Sequence, residues 1–341
     1  MALFPALDST ARALVAPGKG ILAADESTGT LRKRFAAVGV EPTEENGRRY
    51  RELLFTTEGA NRHISGVILF DATIRQSTAS GVRFVDLLEG QGIAPGIKVD
   101  LGVKPLAGSP RESITEGLDG LRERLAAYRD MGARFAKWRA VIDVAPGAPT
   151  PLALRANAEA LARYAATCQA EGLVPIVEPE VLMDGAHDRA RAEDVTAATL
   201  HAVFEALRAY GVRLEAMVLK PNMVVSGKLS QERAAPEQVA EATLRCFARA
   251  VPAAVPGVVF LSGGQSEVEA TANLDALNRR GPQPWELGFS FGRALQAAAL
   301  AAWAGREANV AAGQAAYLHR AHMNSLARTG SWSEAEEHRA G

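Results

Sequence analysis

Several large classes of protein are disfavoured by what the sequence contains little of. Its 341 residues include only two cysteines, Cys168 and Cys246, and neither belongs to a Cys-X-X-Cys pair or a Cys/His cluster. No disulfide framework or zinc site is therefore indicated, and both cysteines are expected on apolar helix faces. No uninterrupted apolar run approaches the ~20 residues of a membrane-spanning helix, so we expect no membrane partner.

An excess of charge of one sign is also missing. Lysine and arginine total 38 against 39 aspartates and glutamates, for a formal net charge of −1. There is no global basic field of the kind that binds nucleic acid, so we expect no nucleic-acid partner. The first ten residues lack the positive segment and long apolar run of a secretory signal, and we expect a cytoplasmic protein.

Short, mostly apolar segments alternate with longer amphipathic stretches along the whole chain, as in parallel sheets buried on both faces. We predict strands at residues 20–25, 66–70, 96–100, 135–140, 174–180, 216–221, 258–263 and 287–292. We predict helices at residues 118–131, 151–171, 193–210 and 236–250, among others. Eight such units favour an α/β fold, a single (β/α)8 TIM barrel with extra N- and C-terminal helical segments. A doubly wound open sheet is the alternative. We place residues 1–341 in one domain, ending in a short, polar, loosely ordered tail at about 329–341.

Nearly every predicted strand ends in a charged or hydroxyl side chain. These residues are Asp25, Lys98, Asp100, Lys137, Arg139, Glu178, Glu180, Lys220, Ser262 and Ser290. In a barrel of this kind the carboxyl ends of the strands form the mouth of the active site. For one strand, a charge that simply marks the surface would explain the pattern better. For six strands it does not, because burying many ionisable groups is costly unless they neutralise one another or serve chemistry.

The strand-end lysines predict a nucleophilic amine. Lys98, Lys137 and Lys220 converge in a barrel, and each should depress the pKa of the others. A neutral lysine forms an iminium with a ketone and thereby supplies the electron sink that cleavage of a carbon–carbon bond needs. Lys220 follows the apolar run 217–219 and precedes Pro221, so we expect it to be the nucleophile. A lysine capping a strand end in solvent is the alternative.

Three carboxylates supply candidate acids and bases. Glu178 and Glu180 form a pair whose pKa values can be driven apart, whereas Asp25 stands alone at the end of the first strand. Asp25 could instead cap the following helix, but Ser27 or Thr28 would serve that role as well.

Two glycine- or hydroxyl-rich segments predict phosphate sites. The first combines Ser262-Gly263-Gly264 after the seventh strand with Gly292-Arg293 after the eighth, the common phosphate position of this fold. The second, at residues 27–34, includes Ser27, Thr30 and Arg34. Tight turns and a solvated helix face are the respective alternatives. Two such sites suggest a substrate with a phosphate at each end. The six histidines share no ligand spacing and no nucleotide motif occurs in context, so we predict no metal and no cofactor.

Eight ordered motifs resemble the class I fructose-bisphosphate aldolases over residues 7–326. They are ILAADEST (21–28), GVILF (66–70), GIKVD (96–100), FAKWR (135–139), VPIVEPE (174–180), LKPNMV (219–224), FLSGGQS (260–266) and FSFGRALQ (289–296). The resemblance implies a homotetramer that cleaves fructose-1,6-bisphosphate, a sugar phosphate, to dihydroxyacetone phosphate and glyceraldehyde-3-phosphate.

The resemblance also implies a role for each matching residue. Lys220 would form the Schiff base, Glu178 with Glu180 beside it would dehydrate the carbinolamine, and Asp25 would take the C4-hydroxyl proton. Lys137 would be the neighbouring cation. The remaining implied contacts are with substrate: Lys98 as a substrate-side cation, Arg139 as a phosphate-side contact, Ser262, Gly263, Gly292 and Arg293 at the C1-phosphate, and Ser27, Thr30 and Arg34 at the far phosphate.

One departure from the family concerns the C-terminus. Many members end in a mobile tail whose terminal tyrosine helps to exchange the enamine proton, but the last tyrosine here is Tyr317, within a predicted helix. Water, another side chain or a different tail geometry must then serve in that step. Two rival functions are a Schiff-base aldolase for another phosphorylated ketose and a non-catalytic scaffold. The unchanged lysine and carboxylates argue against the scaffold.

Overall fold

The computed structural model describes residues 3–338 and confirms the closed parallel barrel. Its eight barrel strands adjoin one another in the order β1-β10-β9-β8-β7-β6-β3-β2. Two further strands, β4 and β5, form an antiparallel hairpin. In chain order the strands are β1 Gly20–Ala24, β2 Ile64–Leu69, β3 Ala94–Lys98, β4 Val103–Leu106, β5 Ser109–Thr115, β6 Phe135–Ile142, β7 Val174–Val181, β8 Val218–Leu219, β9 Gly257–Phe260 and β10 Glu286–Phe291.

Helices follow the barrel strands and surround them, and extra helices lie at both ends of the described chain. They are α1 Leu3–Leu14, α2 Thr28–Ala37, α3 Glu44–Phe55, α4 Asp71–Ile74, α5 Phe84–Gly90, α6 Leu121–Met131, α7 Pro151–Ala170, α8 Arg189–Ala209, α9 Pro236–Ala250, α10 Glu267–Arg279, α11 Arg293–Trp303, α12 Val310–Arg328 and α13 Glu334–Glu337. Among the residues described, no helix has the length and apolar character needed to cross a bilayer.

The core has two layers, as a barrel requires. A small cluster that includes Phe135, Ile176 and Val218 fills the interior of the barrel, and a larger cluster packs the strands against the helices. Glycine in a strand makes room for the aromatic ring in the interior. A Cβ atom on Gly96 would lie 2.2 Å from ring atoms of Phe135, so only glycine fits at this point of β3.

Most predicted elements are confirmed, with shifts at their ends. The predicted helix 236–250 coincides with α9, and Cys168 and Cys246 are buried in helices. The predicted strand 216–221 is only two residues long in β8, because Pro221 has no N–H for a ladder. The backbone N–H of Lys220 nevertheless donates to the carbonyl of Val177 at 2.8 Å, which fixes the residue beside β7.

Two expectations require correction. The β4–β5 hairpin was not predicted, because its strands are half polar and the outer residues Val103 and Lys104 are exposed. The polar tail from residue 329 is not loosely ordered as far as the structure describes it. Glu337 pairs with Arg320, and the backbone N–H of Trp332 donates to Asp275 at 2.9 Å. Residues 339–341 lie outside the described residues.

Candidate active site

A cavity of about 500 Å³ opens at the carboxyl ends of the barrel strands, and all fourteen predicted site residues line it. Their convergence follows from the topology, since the eight strands are parallel and end on one side. Register adds detail: Lys98 on β3 is the direct partner of Lys137 on β6, and Arg139 on β6 is the partner of Glu178 on β7. The fourteen residues are Asp25, Ser27, Thr30, Arg34, Lys98, Lys137, Arg139, Glu178, Glu180, Lys220, Ser262, Gly263, Gly292 and Arg293.

Two lysines and two carboxylates form a connected ion network at the floor of this cavity. Lys137 Nζ lies 2.6 Å from Asp25 Oδ2 and 3.2 Å from Glu178 Oε2. Lys220 Nζ lies 3.2 Å from Glu178 Oε1. Each of these four side chains is at most 12% exposed, so the charges interact with little screening by solvent.

The network shifts the protonation of its members. Burial alone raises the pKa of Asp25, but the positive charges of Lys137 and Lys220 outweigh it and lower that pKa to about 2. Burial likewise raises the pKa of Glu178, and Lys137, Lys220 and Arg139 together bring it below its usual value. Both carboxylates are therefore ionised at neutral pH.

One expectation about this network was wrong. Lys137 pairs directly with Asp25, and the pKa of Lys137 is not depressed by the neighbouring lysines. Burial lowers it, but the carboxylates of Asp25 and Glu178 dominate and hold it above its usual value. The expectation considered only the lysines that converge, whereas the carboxylates that lie between them have the larger effect on the pKa.

Two further ion pairs line the wall of the cavity. Lys98 Nζ lies 2.6 Å from Asp100 Oδ1 and donates to the Asp100 carbonyl at 2.7 Å. Arg139 Nε donates to Glu180 Oε2, so Glu180 has a different ion-pair partner from Glu178, which pairs with Lys137 and Lys220. Lys98 and Asp100 are two positions apart, so their side chains point the same way. Arg139 and Glu180 lie on the neighbouring strands β6 and β7.

The two predicted phosphate segments lie side by side, because β1 and β10 are neighbours in the closed barrel. Ser27 caps α2 by accepting from the Thr30 N–H at 3.3 Å, which leaves Asp25 free of that role as predicted. Gly292 precedes α11, and a Cβ atom there would lie 3.8 Å from Arg34 Nη2. Arg34 thus borders both segments. The N-termini of two helices and these donors suit a phosphate oxygen.

The loop after β9 is packed tightly around its glycines. A Cβ atom on Gly263 would lie 2.5 Å from Met183 Cε and 3.2 Å from Glu180 Oε1. Arg293 Nη2 donates to the carbonyl of Gln265 at 2.7 Å, which ties the start of α11 to this loop. A side chain larger than hydrogen at Gly263 would therefore displace its neighbours, and the loop keeps its path beside the cavity only with glycine there.

Glu26 and its support by Arg51 were not predicted. Glu26 lines the cavity and pairs with Arg34 and with Arg51 of α3. Asp100 and Ser290, which were predicted at strand ends but given no role, also line the cavity. Glu26 carried a signal, since it stands in the loop after β1. Arg51 carried none, because its contact spans 25 residues. Within residues 3–338 no group of three or more potential ligands is arranged to hold a metal ion.

Fold and site together define a barrel enzyme with a buried amine–carboxylate centre, and comparison with known proteins identifies its family. The model of the class-I fructose-bisphosphate aldolases matches residues 6–341. The chain belongs to this family and is therefore a carbon–carbon lyase.

Individual relatives agree over nearly the full length. The chain is 55% identical over 327 residues to a probable fructose-bisphosphate aldolase class 1 of Xanthomonas axonopodis pv. citri, with 96% of this chain and 98% of the relative covered. It is 55% identical to fructose-bisphosphate aldolase 4, cytosolic, of Arabidopsis thaliana, with 93% and 81% covered. The solved aldolase of Plasmodium falciparum, in complex with TRAP and a small-molecule inhibitor, superposes with a TM-score of 0.96 at 50% identity, with 97% and 96% covered.

Proposed function

We propose that the enzyme reversibly cleaves fructose-1,6-bisphosphate to dihydroxyacetone phosphate and glyceraldehyde-3-phosphate through a Schiff base on Lys220. The pairing of the three cavity lysines carries this proposal. Lys137 pairs with two carboxylates, and Lys98 pairs with a carboxylate and donates to a carbonyl. Lys220 has one carboxylate, at 3.2 Å, so among the described residues it has fewer close partners than the other two lysines, and we assign it the role of nucleophile.

The first half of the reaction begins with a proton transfer between neighbours. Glu178 is ionised at rest, so a proton that moves from Lys220 Nζ to Glu178 frees the amine and produces the acid in a single step. The amine attacks the C2 ketone, and the proton that the nitrogen then loses passes to the alkoxide oxygen to give a neutral carbinolamine. Glu178 then returns the proton to the departing hydroxyl, water leaves, and an iminium remains on Lys220.

Cleavage uses the other side of the network. Asp25 is ionised and buried, and we assign to it the proton of the C4 hydroxyl. As this proton leaves, the C4–O electrons form the aldehyde, the C3–C4 bond breaks, and its electron pair passes into the iminium to give an enamine. Lys137, still protonated, offsets the carboxylate charges while the iminium loses its own positive charge. Protonation of C3 and hydrolysis then release dihydroxyacetone phosphate.

The walls of the cavity support a substrate with two phosphates. We assign Ser262, Gly263, Gly292 and Arg293 to the C1-phosphate, and Ser27, Thr30 and Arg34 to the far phosphate. Lys98 and Arg139 supply further positive charge along the wall, and Glu180 orients Arg139.

We assign the proton that the enamine takes up to water or to a group already in the cavity.

We also propose a cytoplasmic homotetramer. The Arabidopsis relative is named cytosolic, and the tetramer is what the family resemblance implies. Light scattering of the purified protein tests the assembly, since a tetramer has four times the mass of one chain. A mass of one or two chains would contradict it.

A coupled assay of both products tests the proposed reaction. The wild type should cleave fructose-1,6-bisphosphate faster than fructose-1-phosphate, because the second phosphate finds a prepared site. Lys220→Arg keeps the charge but loses the nucleophile, and should show no measurable cleavage. A wild type that prefers the monophosphate would favour an aldolase for another ketose. Binding without cleavage would favour a scaffold.

A further inference from the structure

A buried carboxylate directly follows Asp25 and holds three donors. Glu26, whose side chain is 5% exposed, accepts from Arg34 Nη1, from Arg51 Nη2 and, at 2.8 Å, from Gln296 Nε2. Two arginines on one carboxylate leave an excess of one positive charge. Since Arg34 is the partner at the cavity wall, this excess faces the cavity.

Arg51 stands behind this arrangement and is rigidly held. Its side chain is 2% exposed, its Nη1 donates to Gln296 Oε1 at 3.2 Å, and its guanidinium lies 5.7 Å from the centre of the Tyr50 ring. Gln296 is fixed in turn, because its Nε2 also donates to the carbonyl of Ala23 at 2.7 Å. Within the described chain, Glu26 and Arg34 line the catalytic cavity and Arg51 does not.

We propose that Arg51 is a positioning residue for substrate phosphate, acting through Glu26 on Arg34. By neutralising Glu26 from behind, Arg51 leaves one side of the Arg34 guanidinium directed towards Gly292 and available to a phosphate oxygen. Without Arg51, the Glu26 charge is neutralised by Arg34 alone, and Arg34 is withdrawn from the phosphate. The inference rests on the proposed function, because it assigns a sugar phosphate to this cavity.

The alternative is that the Arg51–Glu26 pair only stabilises the packing of α3 against α11. Both roles make Arg51→Met less stable, so stability does not separate them. Substrate affinity does, because the positioning role requires that the effect of Arg51 passes through Arg34. A double-mutant cycle measures that coupling directly.

The experiment compares Arg51→Met, Arg34→Met and the double variant by steady-state kinetics with fructose-1,6-bisphosphate. Loss of a charge-assisted phosphate contact should raise KM of Arg51→Met roughly tenfold. We expect kcat to stay within about twofold, because the Lys220 network is untouched. In the Arg34→Met background, Arg51→Met should raise KM no further.

Two variants serve as controls. Arg328→Met removes an equally buried arginine, which binds the carbonyls of Val15 and Ala16 at the opposite end of the barrel. It should lower stability and leave KM unchanged. Arg51→Lys keeps the charge but cannot bond both Glu26 and Gln296, and its KM should lie between those of the wild type and Arg51→Met. If Arg51→Met does not fold, the cycle is measured with Arg51→Lys.

Each result decides the inference. An unchanged KM, a KM effect equal in both backgrounds, or a matching loss of kcat would overturn it. If the wild type does not cleave fructose-1,6-bisphosphate, calorimetric titration with it gives Kd for the same variants. A wild type that binds but does not cleave would therefore contradict the proposed reaction and still allow the role of Arg51 to be tested.

Discussion

Replacing Lys137 by methionine is the perturbation whose cost the structure defines best. The change removes a cation that lies 2.6 Å from Asp25 and 3.2 Å from Glu178, and leaves both buried carboxylates to Lys220. Breaking a buried pair by removing one partner costs about 3–5 kcal/mol. The lowered pKa of Asp25, about 2 against a usual 3.8, corresponds by itself to about 2 kcal/mol of stability at neutral pH, as the net effect of burial and of the nearby lysines.

The pH dependence has a definite sign. A lowered carboxylate pKa stabilises the folded state above the usual pKa, and this contribution is lost as the pH falls from about 4 towards 2. Without Lys137, burial favours the protonated form of Asp25, so the variant becomes less destabilised as the pH falls. The difference in unfolding free energy between wild type and variant should therefore shrink as the pH falls from 7 to about 4.

Urea unfolding at several pH values and the cleavage assay measure both consequences. We expect cleavage by Lys137→Met to fall by about 100-fold or more, because Asp25 loses its ionised form. Lys228→Met is the matched control: Lys228 Nζ lies 2.8 Å from Asp184 Oδ1, but these side chains are 50% and 65% exposed. Such a surface pair contributes about 0–1 kcal/mol. Equal destabilisation by the two substitutions would refute the buried network.

Two further substitutions test the packing around the site. Gly263→Ala places a Cβ atom 2.5 Å from Met183 Cε, so KM for the bisphosphate should rise. Gly90→Ala meets no atom within 4 Å and should leave the kinetics unchanged. Equal kinetics for the two variants would contradict the close packing of the loop after β9. Glu337→Gln weakens the contacts of Glu337, which include a hydrogen bond from Trp332 Nε1 at 3.0 Å. Proteolysis of the tail should then become faster than in the wild type, and an unchanged rate would contradict this anchoring.

The sequence was sufficient to predict the barrel and the cavity residues, for a physical reason. Residues such as Lys220 and Glu178 stand at the ends of short apolar segments, and parallel strands bring all such ends to one side. The position of each residue at a strand end is visible from its neighbours in the sequence, although its contacts come from distant parts of the chain. The ordered motifs added the assignment to a family, which periodicity alone could not provide.

The parts that were missed depend on long-range partners. The charge state of Lys137 depends on Asp25, which lies 112 positions earlier in the chain, and sequence spacing does not encode that distance. The support of Glu26 by Arg51 and Gln296 likewise requires α3 and α11 to meet. The β4–β5 hairpin has too few apolar residues to show a strand period.

The most direct test of the Schiff-base mechanism is to trap the intermediate. The wild type is incubated with dihydroxyacetone phosphate and a metal chelator, reduced with borohydride, and mapped by mass spectrometry. We expect one chelator-resistant adduct, on Lys220. An adduct on Lys137 or Lys98 would contradict the choice of nucleophile, and the absence of any adduct would contradict the mechanism itself.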